Sequence, residues 1–354
     1  GDGDSFVKSD SELAPRLGFS WDMDGDGNKK LFGTAGRYFM PIAANTNIRA
    51  AGTEWSYEEY FYVDSADENP ITAAPDKVGD AIGTRNSNGD EKAPDSRTVA
   101  ATNLKPMHQD EFILGYQQQV DDWILGAKAI YREVKDGMDD YCSHQPFIDY
   151  ATDNGYNDFD YKSMAGCMMM NPGNDFSIAL DLNNDGNYEV ESVPEEYFGL
   201  EKYKRTYKAL EFTFEKPFAD GWFLQGSYTL AKSEGNSEGY VNSTLEQDDA
   251  GLTQDIDNAL FQDGAYGALP NDRRHTFKAF GAYQVNDEIS VSVNFSLQSG
   301  RPRNCVGFIP LDELRDELGV DAGGLANYGA SSFYCGGVLG NRGDQGRTPW
   351  VKNV

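Results

Sequence analysis

The sequence predicts an all-β protein, an antiparallel transmembrane β-barrel with long loops on one side. Three observations predict this class: stretches in which apolar and polar side chains strictly alternate, connections that are alternately short and long, and no apolar run near the roughly 18 residues that a membrane helix requires. The alternation is clearest at 289–298. Its apolar positions are Ile289, Val291, Val293, Phe295 and Leu297, and its polar positions are Ser290, Ser292, Asn294, Ser296 and Gln298.

Eight stretches of about ten residues share this two-residue period, which is the side-chain repeat of a β-strand with different surroundings on its two faces. At 111–119, for example, Phe112 and Leu114 alternate with Gly115 and Gln117. In chain order, the predicted strands are 13–21, 30–40, 111–119, 123–132, 209–216, 222–231, 275–284 and 289–298.

The connections between these strands alternate in length. The short ones are rich in Asp, Asn and Gly, as tight reversals require, and lie at 22–29, Asp121-Asp122, 218–221 and Asn286-Asp287. The long ones lie at about 51–107, 136–203, 233–271 and 301–346, and their net charges are −6, −13, −8 and −2. Because the whole chain carries −28, nearly all of the excess acid belongs to one end of the structure.

A soluble β-sandwich also alternates, but its loops seldom exceed about 12–15 residues on one side only. A transmembrane barrel accounts for the strand length, the one-sided long loops and the aromatic side chains near the short turns, where an interfacial belt is expected. Those aromatic residues are Tyr116, Trp123, Phe214, Phe218, Trp222 and Tyr283. The pattern therefore favours the barrel.

Composition excludes several other classes. A chain with a net charge of −28 is repelled by phosphate backbones and gains nothing from counterion release, so nucleic acid is not an expected partner. With 20 Phe, 20 Tyr and 5 Trp, the chain is too aromatic for a disordered acidic tail.

Several short motifs carry a family resemblance. They are Ala14-Pro15-Arg16-Leu17-Gly18-Phe19, an Asp/Gly turn through Gly27, Gly36-Arg37-Tyr38-Phe39, Asn271-Asp272-Arg273-Arg274-His275, Gln298-Ser299-Gly300-Arg301-Pro302 and Gly346-Arg347-Thr348-Pro349. In this order and at strand ends, they resemble the C-terminal half of TonB-dependent outer-membrane receptors of the Oar-like group. The resemblance runs from about residue 13 to the end, although the long loops match no known motif.

The resemblance implies a single-chain barrel of 22 strands with an N-terminal plug, in the outer membrane of a Gram-negative bacterium. Residues 1–354 are then expected to be part of the barrel domain, without the plug and the last strands, because a ninth strand begins only at Trp350. The implied function is substrate capture by acidic extracellular loops and passage energised by TonB. The implied partners are outer-membrane lipid and lipopolysaccharide, the TonB system through a plug, and an unknown extracellular substrate.

Two other functions remain open. The first is a non-transporting outer-membrane barrel or surface adhesin with calcium-bridged loops, which would have no need of a plug. The second is a secreted calcium-binding β-sandwich, which would be soluble without detergent.

A possible calcium loop lies at 181–191. Oxygen side chains at its first, third and fifth positions, glycine at the sixth and acids at the ninth and eleventh match the first part of a calcium-binding loop. The candidate ligands are Asp181, Asn183, Asp185, the carbonyl of Asn187, Glu189 and Glu191. Ser192 stands where a bidentate Glu is expected, and an Asx-rich turn is the alternative. A similar run at 22–27 lies in a short turn and is interpreted as a turn only.

The four cysteines lie in two of the long loops, two in each. Their spacing is not that of a zinc site. On the cell exterior the loop-local disulfides Cys142–Cys167 and Cys305–Cys335 are the economical choice among three pairings, and free thiols are the alternative.

The sequence does not predict an enzyme. His108, His144 and His275 are scattered, and His275 follows two arginines at a strand start, where hydrogen bonding at a barrel rim explains it. Adjacent acids such as Asp139 and Asp140 could serve glycoside hydrolysis, but they are expected without function in loops this acidic.

Overall fold

The computed structural model describes residues 12–46, 56–63, 77–88, 94–246, 251–312 and 318–353. In chain order, the strands are β1 (Arg16–Asp22), β2 (Lys29–Phe39), β3 (Ser56–Val63), β4 (Lys77–Asn88), β5 (His108–Val120), β6 (Trp123–Lys135), β7 (Asp139–Tyr141), β8 (Met168–Met170), β9 (Phe176–Leu180), β10 (Glu189–Val193), β11 (Arg205–Ala219), β12 (Trp222–Gly235), β13 (Gly267–Ala268), β14 (His275–Gln284), β15 (Ser290–Gln298), β16 (Tyr334–Cys335), β17 (Val338–Leu339) and β18 (Val351–Asn353). Helices include α1 (Ser96–Val99), α2 (Gln145–Asp153) and α3 (Ala322–Leu325), with single 3₁₀ turns at Tyr161–Ser163, Glu195–Tyr197, Ala259–Phe261, Gly319–Asp321 and Ala326–Tyr328.

One antiparallel sheet organises the chain. Nine of its strands lie side by side in the order β1-β2-β5-β6-β11-β12-β14-β15-β18, and the short β13 adds to β12. All eight predicted strands are therefore confirmed, and the strand expected after Trp350 is β18, which pairs with β15. Within the described residues β1 and β18 do not pair with each other, so the sheet is open.

The alternation of short and long connections is also confirmed. Two-residue turns join β5 to β6 and β11 to β12, and Asp121 and Asp220 adopt φ of 51° and 53° there. Asp is among the few non-glycine residues that tolerate this left-handed region. Because every second connection is long, four long connections start from the same edge of the sheet. We call them the first (40–107), second (136–204), third (236–274) and fourth (299–350) connections.

The register places the large apolar side chains on one face, which we call the apolar face. Across β1, β2, β5 and β6, Phe19 lies opposite Gly33, Gly33 opposite Leu114, and Leu114 opposite Ala129. The ring of Phe19 covers Gly33, where a Cβ atom would come within 2.6 Å of it. Large apolar side chains of this face that stay exposed include Leu17, Phe19, Trp21, Phe112, Leu114, Leu125, Leu210, Phe212, Tyr283, Val291 and Val293. Within the described residues, the apolar face is thus not packed against a second sheet, which argues against the β-sandwich.

The opposite face, which we call the polar face, carries ion pairs between neighbouring strands. Lys128 of β6 contacts Glu211 of β11 at 2.8 Å, and Arg132 contacts Glu111 of β5. A small apolar cluster interrupts this face, because Ile113 lies directly opposite Ile130 in the ladder. The predicted alternation holds along most of each strand, and its exceptions on this face include Ile113, Ile130 and the ring pair of Phe223 and Phe280.

Several strands extend beyond their predicted ends on the side of the long connections. β6 continues to Lys135 and β11 begins at Arg205. In these extensions the apolar face becomes charged: Arg37 binds Asp110 at 2.7 Å, and Lys135 lies within 4 Å of the same carboxylate. The backbone hydrogen bonds of the sheet continue where the alternating apolar pattern stops. The hydrophobic pattern therefore marks the apolar band and underestimates the length of the strand.

Candidate functional site

The long connections fold into a core of their own. Phe147 of α2 is fully buried and its ring centroid lies 5.7 Å from that of Phe176 and 5.4 Å from that of Phe198. All three residues of Met168–Met170 are buried in the same core, which also includes Met107 of the first connection and Ile256 of the third. The loops are therefore a packed assembly at one edge of the sheet.

Aspartates hold the second connection to the third and the fourth. Asp139 accepts hydrogen bonds from the backbone N–H of Thr253 at 2.7 Å and from its hydroxyl. The N–H of Cys142 donates to the carbonyl of Asp257 at 3.0 Å. We call the surroundings of these residues, where the second connection meets the third, the aspartate junction.

The fourth connection caps a helix of the second. The carboxylate of Asp321 accepts hydrogen bonds from the backbone N–H groups of His144 at 2.9 Å and of Gln145 at 3.3 Å, and from the hydroxyl of Ser143. Gln145 begins α2, so a negative charge lies at the positive end of that helix. This capping bond joins segments that are more than 170 residues apart in the chain.

Burial changes the acidity of the aspartate junction. The pKa of the Asp139 carboxyl is raised well above its ordinary value, first by loss of water and then by the charge of Asp140. The pKa of Asp257 is raised for the same two reasons. Burial and the neighbouring Asp257 carboxylate also raise the pKa of Tyr328. Asp139 is only 2% exposed, and no pattern in the sequence distinguished it from the other acids of the loops.

The predicted calcium loop connects β9 to β10. One oxygen of Asp181 accepts from the N–H of Asp185 at 3.0 Å, and the other accepts from the N–H of Gly186 at 2.8 Å. The N–H of Asn187 donates to Asp185 at 2.9 Å, and this bond lowers the pKa of Asp185. The turn at 22–27 has similar bonds, in which the N–H groups of Gly25 and Gly27 donate to the carboxylate of Asp22.

The structure brings some of the predicted calcium ligands together and separates others. Asp181 and Asp185 lie in one turn with Asn183 and Asn187, whereas Glu189 and Glu191 lie in β10. Glu191 accepts a hydrogen bond from the hydroxyl of Tyr150 at 3.2 Å. Calcium binding at this turn stays a prediction.

Both disulfides considered from the sequence are present. Cys142 is bonded to Cys167, and the bridge closes the end of the ladder between β7 and β8. Cys305 is bonded to Cys335 at β16. Among the described residues, one group of three potential metal-ligating atoms lies within 4.8 Å of one another. It consists of a carboxylate oxygen of Asp140 and the sulfurs of Cys142 and Cys167. Since both sulfurs are in a disulfide, this group is not a metal site.

The histidines have structural contacts. His275 and the hydroxyl of Tyr228 are 2.8 Å apart, and the His275 ring stacks on Trp350 at 5.9 Å between centroids. This is the rim contact expected from the sequence. His144 contacts the carbonyl of Ala165 at 2.9 Å in the second connection, and His108 packs against Phe39 at the base of the first.

The short-turn edge of the apolar face carries an aromatic cluster. The rings of Trp123 and Trp222 lie edge to face at 6.0 Å, and Phe214 lies 6.3 Å from Trp123. The ammonium of Lys216 lies 4.3 Å from the centre of the Trp222 ring. Lys and Trp together are typical of a boundary between an apolar and an aqueous medium. In the described part of the chain, no helix is both long and apolar enough to cross a membrane.

An antiparallel sheet with one apolar and one polar face, short turns at one edge and long connections at the other is the construction of an outer-membrane-type barrel wall. The chain is similar over its whole length to the TonB-dependent transporter Oar of Myxococcus xanthus, with 24% identity over 362 residues. This match confirms the resemblance to Oar-like TonB-dependent receptors that the short motifs indicated. No family model matches the chain.

A solved structure was also found. The crystal structure of the siderophore receptor PirA from Acinetobacter baumannii matches 81% of this chain and 29% of that one, with 12% identity and a TM-score of 0.35. This chain spans 30% of the length of the Oar transporter. The Oar transporter is therefore more than three times as long as this chain.

Proposed function

We propose that this chain forms part of the wall and much of the outer surface of an outer-membrane TonB-dependent receptor. In this proposal the apolar face contacts lipid, including lipopolysaccharide, and the polar face lines the lumen. The open edges at β1 and β18 pair with further strands of a larger barrel, because unpaired backbone groups in a lipid bilayer cost several kcal/mol each. The observation that carries the proposal is the segregation of apolar and polar side chains across eight adjacent strands of the sheet, from β1 to β15.

The four long connections lie outside the cell in this proposal. They start from one edge of the sheet, and the Trp and Lys cluster lies at the opposite edge. Long connections on the extracellular side and short turns on the periplasmic side are typical of such barrels. Residues 136–203 of the second connection carry −13, which would attract a cationic substrate or a substrate with cationic groups. Substrate capture is therefore assigned to these acidic loops, and energised passage to TonB.

A genetic experiment tests the function. Deletions of this gene and of the TonB system are compared, singly and together, for growth on a panel of limiting nutrients. If the receptor transports with TonB energy, the double deletion grows no worse than the TonB deletion on the nutrient concerned. An adhesin gives the opposite result. Deletion of its gene then reduces surface attachment equally with and without TonB, and it either leaves growth unchanged or adds to the growth defect of the TonB deletion.

A labelling experiment tests the location. Asp158 of the second connection and Asp287 of the turn between β14 and β15 are both exposed, and each can be replaced by cysteine. The four cysteines of residues 1–354 are in disulfides, so the added thiol is the reactive one in this part of the receptor, and the receptor without the substitution gives the background labelling. A membrane-impermeant maleimide should label Asp158→Cys on intact cells and Asp287→Cys only after lysis. Labelling of Asp287→Cys on intact cells would reverse the topology.

A further inference from the structure

Four carboxyl groups meet where the second connection packs against the third. They belong to Asp139, Asp140, Asp255 and Asp257, and three of them are buried, with exposures of 2% for Asp139, 4% for Asp255 and 8% for Asp257. The charge of Asp140 acts on both Asp139 and Asp257. Within the described residues, Arg342 forms an ion pair with Asp255 at 3.4 Å, and neither Asp139 nor Asp257 forms one. Buried acids of this kind require a compensating positive charge or a proton.

The hydrogen bonds distinguish Asp257 from Asp139. Both oxygens of Asp139 accept from Thr253. In Asp257, Oδ2 accepts from the hydroxyl of Tyr328 at 2.7 Å, whereas Oδ1 is buried and has no hydrogen-bond partner among the described residues. A buried carboxylate oxygen without a donor is costly, and it is also the atom that a hard cation would bind.

Geometry limits the number of carboxylate ligands. No three carboxylates of the described residues bring their oxygens within 4.8 Å of one another, which is about the width of a calcium coordination shell. A cation here would thus have at most two carboxylates, with main-chain oxygens and water filling the rest of its six to eight positions. Magnesium suits such a site poorly, because it demands a tight octahedron.

We propose that a divalent cation of the calcium class binds in the aspartate junction, between Oδ1 of Asp257 and the carboxylate of Asp140. Such an ion would join the second connection, which carries Asp140, to the third, which carries Asp257. Through the bond from Tyr328 to the other oxygen of Asp257, it would also hold the fourth connection. The site is distinct from the turn at Asp181, and it would make the loop assembly dependent on the calcium concentration outside the cell.

The test uses the purified full-length receptor in detergent and calcium alone as the probe. Bound calcium is counted by equilibrium dialysis, and tryptic cleavage after Lys162 and Lys202 of the second connection reports the loop assembly. The Asp181→Ala background removes the other candidate site. In that background Asp257→Asn is compared with Asp287→Asn, a matched substitution at an exposed turn far from the junction.

We expect the Asp181→Ala protein to bind one calcium ion and to be cleaved more slowly when calcium is present. Asp257→Asn should weaken calcium binding roughly tenfold or more, because the affinity of such sites follows the number of charged ligands, and Asp287→Asn should not change it. If Asp257→Asn does not fold, Asp140→Asn in the same background takes its place and should weaken calcium binding to the same extent.

Two results would overturn the proposal. One is no calcium bound to the Asp181→Ala protein at millimolar concentrations. The other is a calcium response in Asp257→Asn equal to that of Asp287→Asn. Trypsin resistance without calcium is also compared. If Asp257→Asn is then at least as resistant as the parent, the Asp257 carboxyl carries a proton, since an amide imitates the protonated acid.

Discussion

The hydroxyl of Tyr328 donates a hydrogen bond of 2.7 Å to the carboxylate of Asp257, although the two residues lie in different long connections and 71 positions apart. The Tyr328 ring also packs on Phe261, with 5.0 Å between centroids. The bond is therefore a direct link between the third and fourth connections, and the packing of the ring does not depend on it.

Removing this hydroxyl should loosen the loops and leave the sheet unchanged. Tyr328→Phe keeps the ring but leaves a buried carboxylate oxygen without its donor, which should cost about 1–3 kcal/mol. Hydrogen exchange of the backbone N–H groups near Cys142 and Thr253 measures the effect. Tyr266→Phe, at an exposed ring, is the matched control and should change the free energy by less than about 0.5 kcal/mol. Equal effects of the two substitutions would contradict the link.

The loop assembly should be most stable at acidic pH when calcium is removed. The folded-state pKa values of Asp139 and Asp257 are raised, so the folded loops bind protons more tightly than the unfolded chain does. Their contribution is present below the unfolded pKa of about 4 and is lost as the pH rises through the raised folded values. Protease cleavage of the second connection, normalised to an unfolded substrate, should be faster at about pH 9 than at about pH 5. Asp257→Asn should make the cleavage rate depend less on pH. If the second connection of the parent protein becomes more resistant to protease as the pH rises, this prediction is contradicted.

The two disulfides should be found by non-reducing peptide mapping as Cys142–Cys167 and Cys305–Cys335. They enclose sequence separations of 25 and 30 residues. For loops of this length the chain-entropy model gives about 3–4 kcal/mol of stabilisation per bridge. The Cys142→Ser, Cys167→Ser variant should therefore lose protection in the second connection. A peptide joining Cys142 to Cys335, or four alkylatable thiols, would show that the loops are organised otherwise.

The turn at Asp181 should bind calcium weakly, with a dissociation constant on the order of 10⁻⁴ to 10⁻³ M, because the twelfth-position ligand is missing. Calorimetric titration of the receptor is compared with the Asp181→Ala, Asp185→Ala variant. The matched control is Asp22→Ala. Asp22 also accepts two backbone N–H bonds in its turn, and the residues after Gly27 are Asn28 and Lys29 rather than acids. If the double variant gives the same heat as the parent, and chelation leaves the loop equally resistant to protease, Asp181 serves only the turn.

The sheet could be predicted from the sequence because each strand has one polar and one apolar side. The two-residue period of a stretch such as 289–298 shows locally that its two sides have different surroundings. A two-residue turn such as the one at Asp121 is likewise determined by local sequence. Strand ends were less predictable. β6 continues to Lys135 because backbone pairing does not require apolar side chains.

The loop assembly could not be predicted in the same way. Asp139 and Thr253 are 114 positions apart, and neither residue has a local pattern that indicates the other. Phe147, Phe176 and Phe198 likewise form one core only after α2 and the hairpin of β9 and β10 have packed together. The run of three methionines at 168–170 was the available signal, since three consecutive apolar residues in an acidic loop need a buried site.

Two adjacent residues of β15 test whether the apolar face contacts lipid. Val293 lies on the apolar face opposite Gly281 and is 55% exposed, whereas Asn294 lies on the polar face opposite Phe280. The measurement is the free energy of unfolding of the full-length receptor in lipid bilayers, with arginine introduced at each position. Val293→Arg should cost about 2–4 kcal/mol if it lies near the bilayer midplane, and Asn294→Arg should be tolerated. Equal costs at the two positions, or a larger cost at Asn294, would contradict the barrel wall.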